Sequence, residues 1–328
     1  MATIAEAKAV SLIEYGKGYE EGSLERAFIE TFAATSDVMG ALMIKGADRG
    51  EYKFRRTAEL PTVKFRGFNE AGNESTGKTT IHAEGTFLMD EYIKVDRAEI
   101  DRLGEGERMK QERLKIIAMS RHWTDTFLKG DNQSDQREPN GLQNRFTVAD
   151  TTLFHNSTAS GGGALSLEKL DVAMTAVNGV THLICSRDLL PYWMKAARDP
   201  NLTNSTIVLD KTDPLGRVNL RGEPMPYIEY NGVPLLFGYE PDDGGVILPF
   251  TEVGTGGGAA QTSSIYPVAM SDERTFGIES TALQVRDEGQ LQGSPFVSTH
   301  VKWDWGLVNE HPRSGARLTS ITKAAFVA

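Results

Sequence analysis

Cysteine is almost missing from this chain of 328 residues, and the single copy, Cys185, has no partner for an intrachain disulfide. Packing and hydrogen bonds must therefore hold the fold, as suits a reducing compartment. Cys185 ends the apolar run His182 to Cys185 and reads as core packing, not a reactive thiol. No uninterrupted apolar run approaches the length that a membrane helix needs, and Met1 to Lys8 lacks the basic start and apolar middle of a signal peptide. Both features point to a protein that stays in the cytoplasm of the cell that makes it. Basic charge is also in deficit: 35 Lys and Arg stand against 45 Asp and Glu, for a formal net charge of −10. A surface that grips nucleic acid by neutralising phosphates needs clustered Lys and Arg, so that mode is disfavoured. Enclosing nucleic acid is a different matter, because an acidic inner wall would repel the phosphate backbone and leave packed DNA free to move.

Recognisable chemistry is equally sparse. Six histidines (His82, His122, His155, His182, His300, His311) are scattered without a His-x-x-x-His pair, and no second cysteine completes a zinc site. Asp131 and Asp135 lack the alternating spacing of a calcium loop and read as a solvated acidic turn. Ser160, Gly161, Gly162 and Gly163 are not followed by Lys-Ser or Lys-Thr, so they read as a flexible loop ahead of a helix cap at Ser166, not a phosphate cradle. No Gly-x-Ser-x-Gly elbow occurs. No residue is assigned to catalysis, and no cofactor or metal is implied.

What remains has the composition of a folded protein, with 39% hydrophobic and 24% charged residues, at a length where one domain gives way to two or three. Near the start, Tyr15 to Tyr19 reads as an extended arm, followed by an amphipathic helix from Ser23 to Thr31 with Leu24, Ala27 and Phe28 on one face. From Tyr52 to Met89 the pattern becomes alternation: Tyr52, Phe54 and Arg56, then Val63 and Phe65, later Ile81, Ala83, Phe87 and Met89. These are strands of a long hairpin around a polar tip from Gly67 to Lys78. A two-stranded ribbon is marginal in water, so it either lies on its own domain or reaches onto a neighbour.

A long helix follows. Asp96 with Glu99 resembles a capping box, and helical periodicity continues to Leu128, with Met109, Ile116, Trp123 and Phe127 on the apolar stripe, joined by Leu114 and Ile117. Gly104 and Gly106 are points where it bends or starts afresh. Gly130 is placed as a left-handed C-terminal cap. Beyond it the spacing predicts an α+β region: a helix near Ser166 to Asn178, a strand His182 to Cys185, a helix Arg187 to Ala197, and strands at Thr206 to Leu209, Pro226 to Tyr230, Pro234 to Tyr239 and Ser264 to Met270. A late strand, Pro295 to Leu307, carries Val297, Thr299, Val301, Trp303 and Trp305 on one face. With Leu283 to Val285 it forms a hairpin that covers the long helix. An apolar strand-like segment, Leu318 to Val327, ends the chain.

This order of parts resembles the Hong Kong 97 fold of tailed-phage major capsid proteins. Its most specific mark is the exit from the long helix, Phe127, Leu128, Lys129, Gly130, Asp131 and then Pro139, Asn140, Gly141, Leu142, which looks like the family's Gly-Asp pair followed by Pro-x-Gly-Leu. Ile184 to Leu190 and Gly232 to Leu236 fit the strand-then-helix and the later strand entry of its central domain. The resemblance implies an α+β subunit with an N-terminal arm (1–45), an E-loop hairpin (46–95), a spine helix and exit loop of the P-domain (96–140), an A-domain (141–275), a P-domain hairpin (276–310), and a C-terminal segment (311–328) returning to the A-domain. It implies intersubunit contacts at Lys64, Phe65, Arg66, Phe68, Asn69, Lys78, Asp131 and Arg137, and a P-domain core of Ile116, Trp123, Phe127, Trp303 and Trp305.

The function so implied is that of a virion shell: the chain assembles with itself into pentamers and hexamers and encloses double-stranded DNA without sequence-specific binding. It would meet a portal protein, a separate scaffolding protein and a decoration or cement protein, all in the bacterial host cytoplasm. The glycine-rich stretches Gly254 to Gly258 and Gly67 to Lys78 are candidates for loops that tolerate different neighbour geometries. Because the arm begins close to Met1, no large N-terminal cleavage is expected. Lys53, Lys64 and Lys78 read as solubility lysines, not crosslinking groups. Two other readings stay open: an encapsulin-type compartment shell, and a β-rich carbohydrate-binding or hydrolytic domain using Trp303 and Trp305.

Overall fold

Two large hydrophobic clusters organise the chain, one under a long helix and one around a mixed sheet. The computed structural model describes residues 10–11, 24–146, 152–199, 207–210, 227–238, 246–290 and 293–327; the arm read at Tyr15 to Tyr19 lies outside them. The first part runs β1 (Val10–Ser11), α1 (Leu24–Thr35), α2 (Asp37–Ala41), β2 (Met43–Gly46), β3 (Glu51–Glu59), β4 (Lys78–Gly85), β5 (Phe87–Asp96), α3 (Arg97–Leu103), α4 (Glu105–Lys129) and α5 (Leu142–Arg145). Then come β6 (Leu153–His155), α6 (Leu167–Ala176), β7 (His182–Ile184), α7 (Leu190–Ala197), β8 (Ile207–Asp210), β9 (Tyr227–Tyr230) and β10 (Val233–Leu236). The chain closes with β11 (Glu252–Val253), β12 (Ala260–Val268), β13 (Thr275–Gln290), β14 (Phe296–Asn309) and β15 (Arg317–Ile321).

One sheet has the order β1-β2-β13-β14-β5, and the second the order β6-β15-β12-β7-β10-β9-β8 with β11 attached to β12. β3 and β4 pair only with each other, as a separate ribbon. Phe87 and Met89 therefore do not continue that hairpin as the alternation suggested: β5 pairs with β14 from Phe87↔Trp305 to Asp96↔Phe296. The reason is burial. Ile93 and Val95 need a core that a ribbon lacks, and the chain crosses into the sheet at Gly85, whose carbonyl would lie 2.4 Å from a Cβ on Gly306.

The long helix does start afresh at its glycines. The Asp96 carboxylate accepts the Ala98 N–H at 2.8 Å to cap α3, Gly104 takes φ +88°, and α4 then runs for 25 residues. Its buried face differs from the expected stripe. Ile116, Met119, Trp123, Phe127 and Leu128 are buried, whereas Met109 and Leu114 are exposed, and the positions that meet the sheet at the start of α4 are polar. There Arg108 binds Glu112 (3.1 Å), Asp287 (2.8 Å) and Thr299 (3.0 Å). In α1, Ile29, Phe32 and Thr35 are buried and Ala27 is exposed; the side chains of Leu24 and Phe28 lie outside those described.

Aromatic rings form the centre of the first cluster. Trp123 stacks on Phe127 (5.2 Å between centroids) and on Trp303 (6.2 Å), Trp305 lies 5.1 Å from Trp123, and Phe32 meets Trp303 edge-on at 5.8 Å. The N-terminal helices are tied in by polar bonds: Ser120 Oγ donates to the Phe32 carbonyl, and Thr124 Oγ1 to Ser36 Oγ. Asp37 reaches farther. Its two carboxylate oxygens accept the N–H groups of Phe237 and Gly238, each at 2.6 Å, just past β10.

Several glycines serve close approach, not loop freedom. Gly130 has φ −45° and ψ 140°, outside the left-handed region, but a Cβ there would lie 2.4 Å from the Pro139 carbonyl oxygen. The exit loop thus folds back onto the helix end, closed by Gly141 N–H donating to Gly130 O at 2.8 Å. Gly254 to Gly258 and Ser160 to Gly163 are not free tips either. A Cβ on Gly256 would meet Thr158 O at 2.2 Å, and Gly161 N–H donates to Gly257 O at 2.7 Å, so the two loops interlock.

Two stability outcomes follow from these bonds. Asp37→Ala leaves two N–H groups without their acceptor and should lower stability by roughly 2–4 kcal/mol in denaturant titration. Glu279, whose carboxylate accepts the Trp303 indole N–H at 3.1 Å, is pushed up by burial, with that bond acting the other way. A raised pKa in the folded state means that its contribution is fully present below the ordinary glutamate value and is lost as pH rises through the folded one. Glu279→Gln should therefore raise the melting temperature at neutral pH, and the difference should close as pH falls toward about 4.

Candidate assembly surface

The ribbon β3–β4 projects from a fixed base. Phe54 is buried against Phe276, Ile278 and Val308, Tyr52 meets Phe276 edge-on at 5.4 Å, and Lys45 Nζ sits 4.1 Å above the same ring. Arg56 donates to the Glu310 carbonyl at 2.9 Å and to that of Asn309. On the other strand Glu84 accepts a two-pronged contact from Arg145 (2.7 and 3.0 Å), which also donates to Leu307 O at 2.9 Å. A planar guanidinium matched to a carboxylate fixes direction as well as distance.

Away from the base the ribbon has no core. Its ladder runs from Glu51↔Gly85 to Glu59↔Lys78, where Lys78 and Glu59 pair at 2.7 Å, and regular pairing stops. Residues 60–77 are shaped by polar side chains: Asn73 Nδ2 and Ser75 Oγ donate to Thr62 O, Gly67 N–H donates to Glu70 Oε2, and Arg66 donates to Glu70 O. Asn69 turns the chain with φ +65°. Apolar side chains are thrown outward. Leu60 is 80% exposed, Val63 91%, and Phe65 and Phe68 completely. Four exposed apolar side chains within nine residues at the end of an anchored arm mark a surface that another molecule covers.

Residues 20–169, a little under half of the chain, match the family described as Major capsid protein GP7. No curated protein matches the chain in sequence. Among solved structures it is similar to the holo-SrpI encapsulin of Synechococcus elongatus PCC 7942, at TM-score 0.58 and 15% identity over 88% of each chain. It is also similar to the capsid of a native GTA particle (TM-score 0.55, 12% identity, 85% of this chain and 88% of that one). A third likeness is to a structure of Mycobacterium phage Bobi (TM-score 0.58, 12% identity, 90% and 91%). The chain has the Hong Kong 97-like fold, and its residues 20–169 are similar to major capsid proteins.

The residues singled out in its sequence fall in three places. Lys64, Phe65, Arg66, Phe68, Asn69 and Lys78 are all exposed on the ribbon, with Lys64 and Arg66 interleaved with the two aromatic rings. Asp131 and Arg137 lie on the exit loop instead. The Asp131 carboxylate serves its own turn, accepting from Ser134 Oγ (2.6 Å) and Gln133 N–H (3.1 Å), bonds that hold it below the usual carboxylate range. Arg137 is exposed. Ile116, Trp123, Phe127, Trp303 and Trp305 are buried together in the first cluster. Trp303 and Trp305 are at most 4% exposed, so neither ring can stack on a sugar, and the carbohydrate-binding reading falls.

Sequence reasoning passed over Leu60, Val63 and Ile81 as exposed positions and Arg145 with Glu84 as the anchor. A run of apolar residues with no matching stretch to bury it was the available signal for the first group. Cys185 is buried, and burial pushes its thiol up, away from reactivity. Among the described residues no cluster of three His, Cys, Asp or Glu could hold a metal, and no helix is long and apolar enough to cross a membrane. Because Phe65 and Phe68 touch nothing in their own fold, Phe65→Ser with Phe68→Ser should change unfolding free energy by no more than about 0.5 kcal/mol. The same pair should abolish or strongly reduce particles in sedimentation.

Proposed function

We propose that this chain builds the icosahedral shell of a tailed double-stranded DNA bacteriophage, as pentamers and hexamers enclosing the genome. The observation that carries the reading is the anchored ribbon whose apolar end is exposed in a chain of this fold. Such a subunit gains from neighbours the burial that it lacks alone, so assembly and stability are linked. Its parts are assigned as arm (1–45), E-loop (46–95, of which 87–95 run as β5 in the sheet), spine and exit loop (96–140), A-domain (141–275), P-domain hairpin (276–310) and C-terminal return (311–328). Its role is structural, with no catalytic residue. Lys64, Phe65, Arg66, Phe68, Asn69, Lys78, Asp131 and Arg137 are the proposed intersubunit contacts. A portal, a separate scaffolding protein and a decoration protein are the expected partners, met in the host cytoplasm, and the net charge of −10 suits a wall that confines DNA without gripping it.

The likeness to an encapsulin keeps one second reading in play, a compartment that houses enzymes. Expression of the chain alone, followed by negative-stain electron microscopy and sedimentation, tests both. Closed particles or pentamers and hexamers are expected. A stable monomer, alone and with its genomic neighbours, would overturn the shell reading, and particles loaded with enzyme cargo would favour the compartment.

A further inference from the structure

Backbone pairing leaves one long strand edge open. β5 pairs with β14 over ten consecutive residues without a bulge, and among the described residues no strand pairs with its other edge. The other terminal strands of the two sheets are short: β1 has two residues, β6 three and β8 four. The ribbon strands β3 and β4 are also edges, but their register shifts between Thr57 and Glu59 and they carry Lys53, Arg55, Arg56 and Lys78. Irregular register and outward basic charge are the devices that keep natural edges from pairing.

β5 is poorly protected in this way. Lys94 is its one basic residue, and its mid-strand carboxylates are already engaged within the chain, Asp90 with His300 at 2.6 Å and Glu91 with Lys115 at 2.7 Å. Leu88 and Tyr92 are more than half exposed, and the Tyr92 ring is held flat on His300 at 4.3 Å. A regular, ten-residue open ladder with apolar side chains is a template for an added strand.

The same chain carries a segment with the matching need. Residues 60–66, reading LPTVKFR, continue β3 beyond the point where its ladder ends. Strand alternation would put Val63 and Phe65 on one side and Lys64 and Arg66 on the other. Pro61 sits near the start, where an added edge strand tolerates it. The segment bears two cations and no acid, while β5 bears Asp90, Glu91 and Asp96 against Lys94; even with Glu91 offset by Lys115, the remaining excess of acid has the sign that favours approach. Within one copy the two do not meet, since Val63 and Phe65 are exposed.

We propose that residues 60–66 of one copy add to the free edge of β5 in a neighbouring copy, as a sixth strand of its sheet. The proposal rests on the shell reading and names the surface that receives the ribbon. To test it, Tyr92 is replaced by the photocrosslinking amino acid p-benzoylphenylalanine in the full chain, and particles are assembled from equal amounts of isotopically light and heavy subunits. After irradiation, adducts are mapped by mass spectrometry. The expected result is a main adduct on residues 60–66 with mixed light and heavy isotopes, lost in particles that also carry Val63→Ser and Phe65→Ser or, where those do not form, in particles with Val63→Ser alone. Particles whose adducts fall elsewhere, or join only peptides of one copy, overturn this proposal and leave the shell reading standing. A chain that stays monomeric without adducts overturns both.

Discussion

Everything in the first half of the fold depends on the seating of one helix on one pair of strands. Trp123 of α4 lies between Phe127, Trp303 and Trp305, and two of those three rings belong to β14, which is itself paired on both edges, with β13 and β5, in the five-stranded sheet. Buried aromatic rings supply large contact areas with few rotatable bonds, so they fix geometry as well as contribute stability. With α4 placed, Ser120 and Thr124 place the N-terminal helices, and Asp37 at the end of that path holds the chain beyond β10. The ribbon inherits its direction from the same sheet, because Phe276, Ile278 and Val308 at its base are residues of β13 and β14.

Contact along the helix is graded. Its C-terminal half is held by rings, its N-terminal half by the bonds of Arg108 to Glu112, Asp287 and Thr299, and beyond Gly104 the short helix α3 buries no side chain. Apolar packing is nondirectional and resists separation, whereas a half-buried ionic network keeps its strength only in a narrow geometry. The firm end of the spine is therefore the end from which the exit loop returns and Arg145 reaches the ribbon. That arrangement places the arm's anchor where the subunit is least deformable.

Local signals carried much of this fold in the sequence. The caps at Asp96 and Ser166, the restart at Gly104, and the alternation of Val301, Trp303 and Trp305 each depend on residues a few positions apart, and each is present in the structure. Long-range decisions were less legible. The alternation of Phe87 and Met89 says strand but not which sheet, since both ribbon and sheet have the same period. Gly130 read as a left-handed cap and Gly256 as a loop residue because nothing nearby reveals the carbonyl that approaches them from another segment. Asp37 gave no signal at all, because its partners lie two hundred positions away. The projecting surface was legible as a ribbon with a tip, yet its apolar content was not separable from strand pattern until the ladder was seen to stop at Glu59.

A subunit of this kind distributes its unmet needs in a way that favours a shell over an aggregate. The exposed rings sit at the end of an arm whose base is fixed by a buried cluster and a two-pronged ion pair, so they are presented in one direction only. A fixed donor and a receiving surface at a different place on the same molecule make a heterologous contact, and repetition of such a contact closes into a ring or extends without limit according to the rotation it imposes. The rigidity of the base therefore matters as much as the apolar content of the tip. A loose ribbon would satisfy the same side chains against many neighbours at many angles, while an anchored one restricts each added copy to nearly the same rotation.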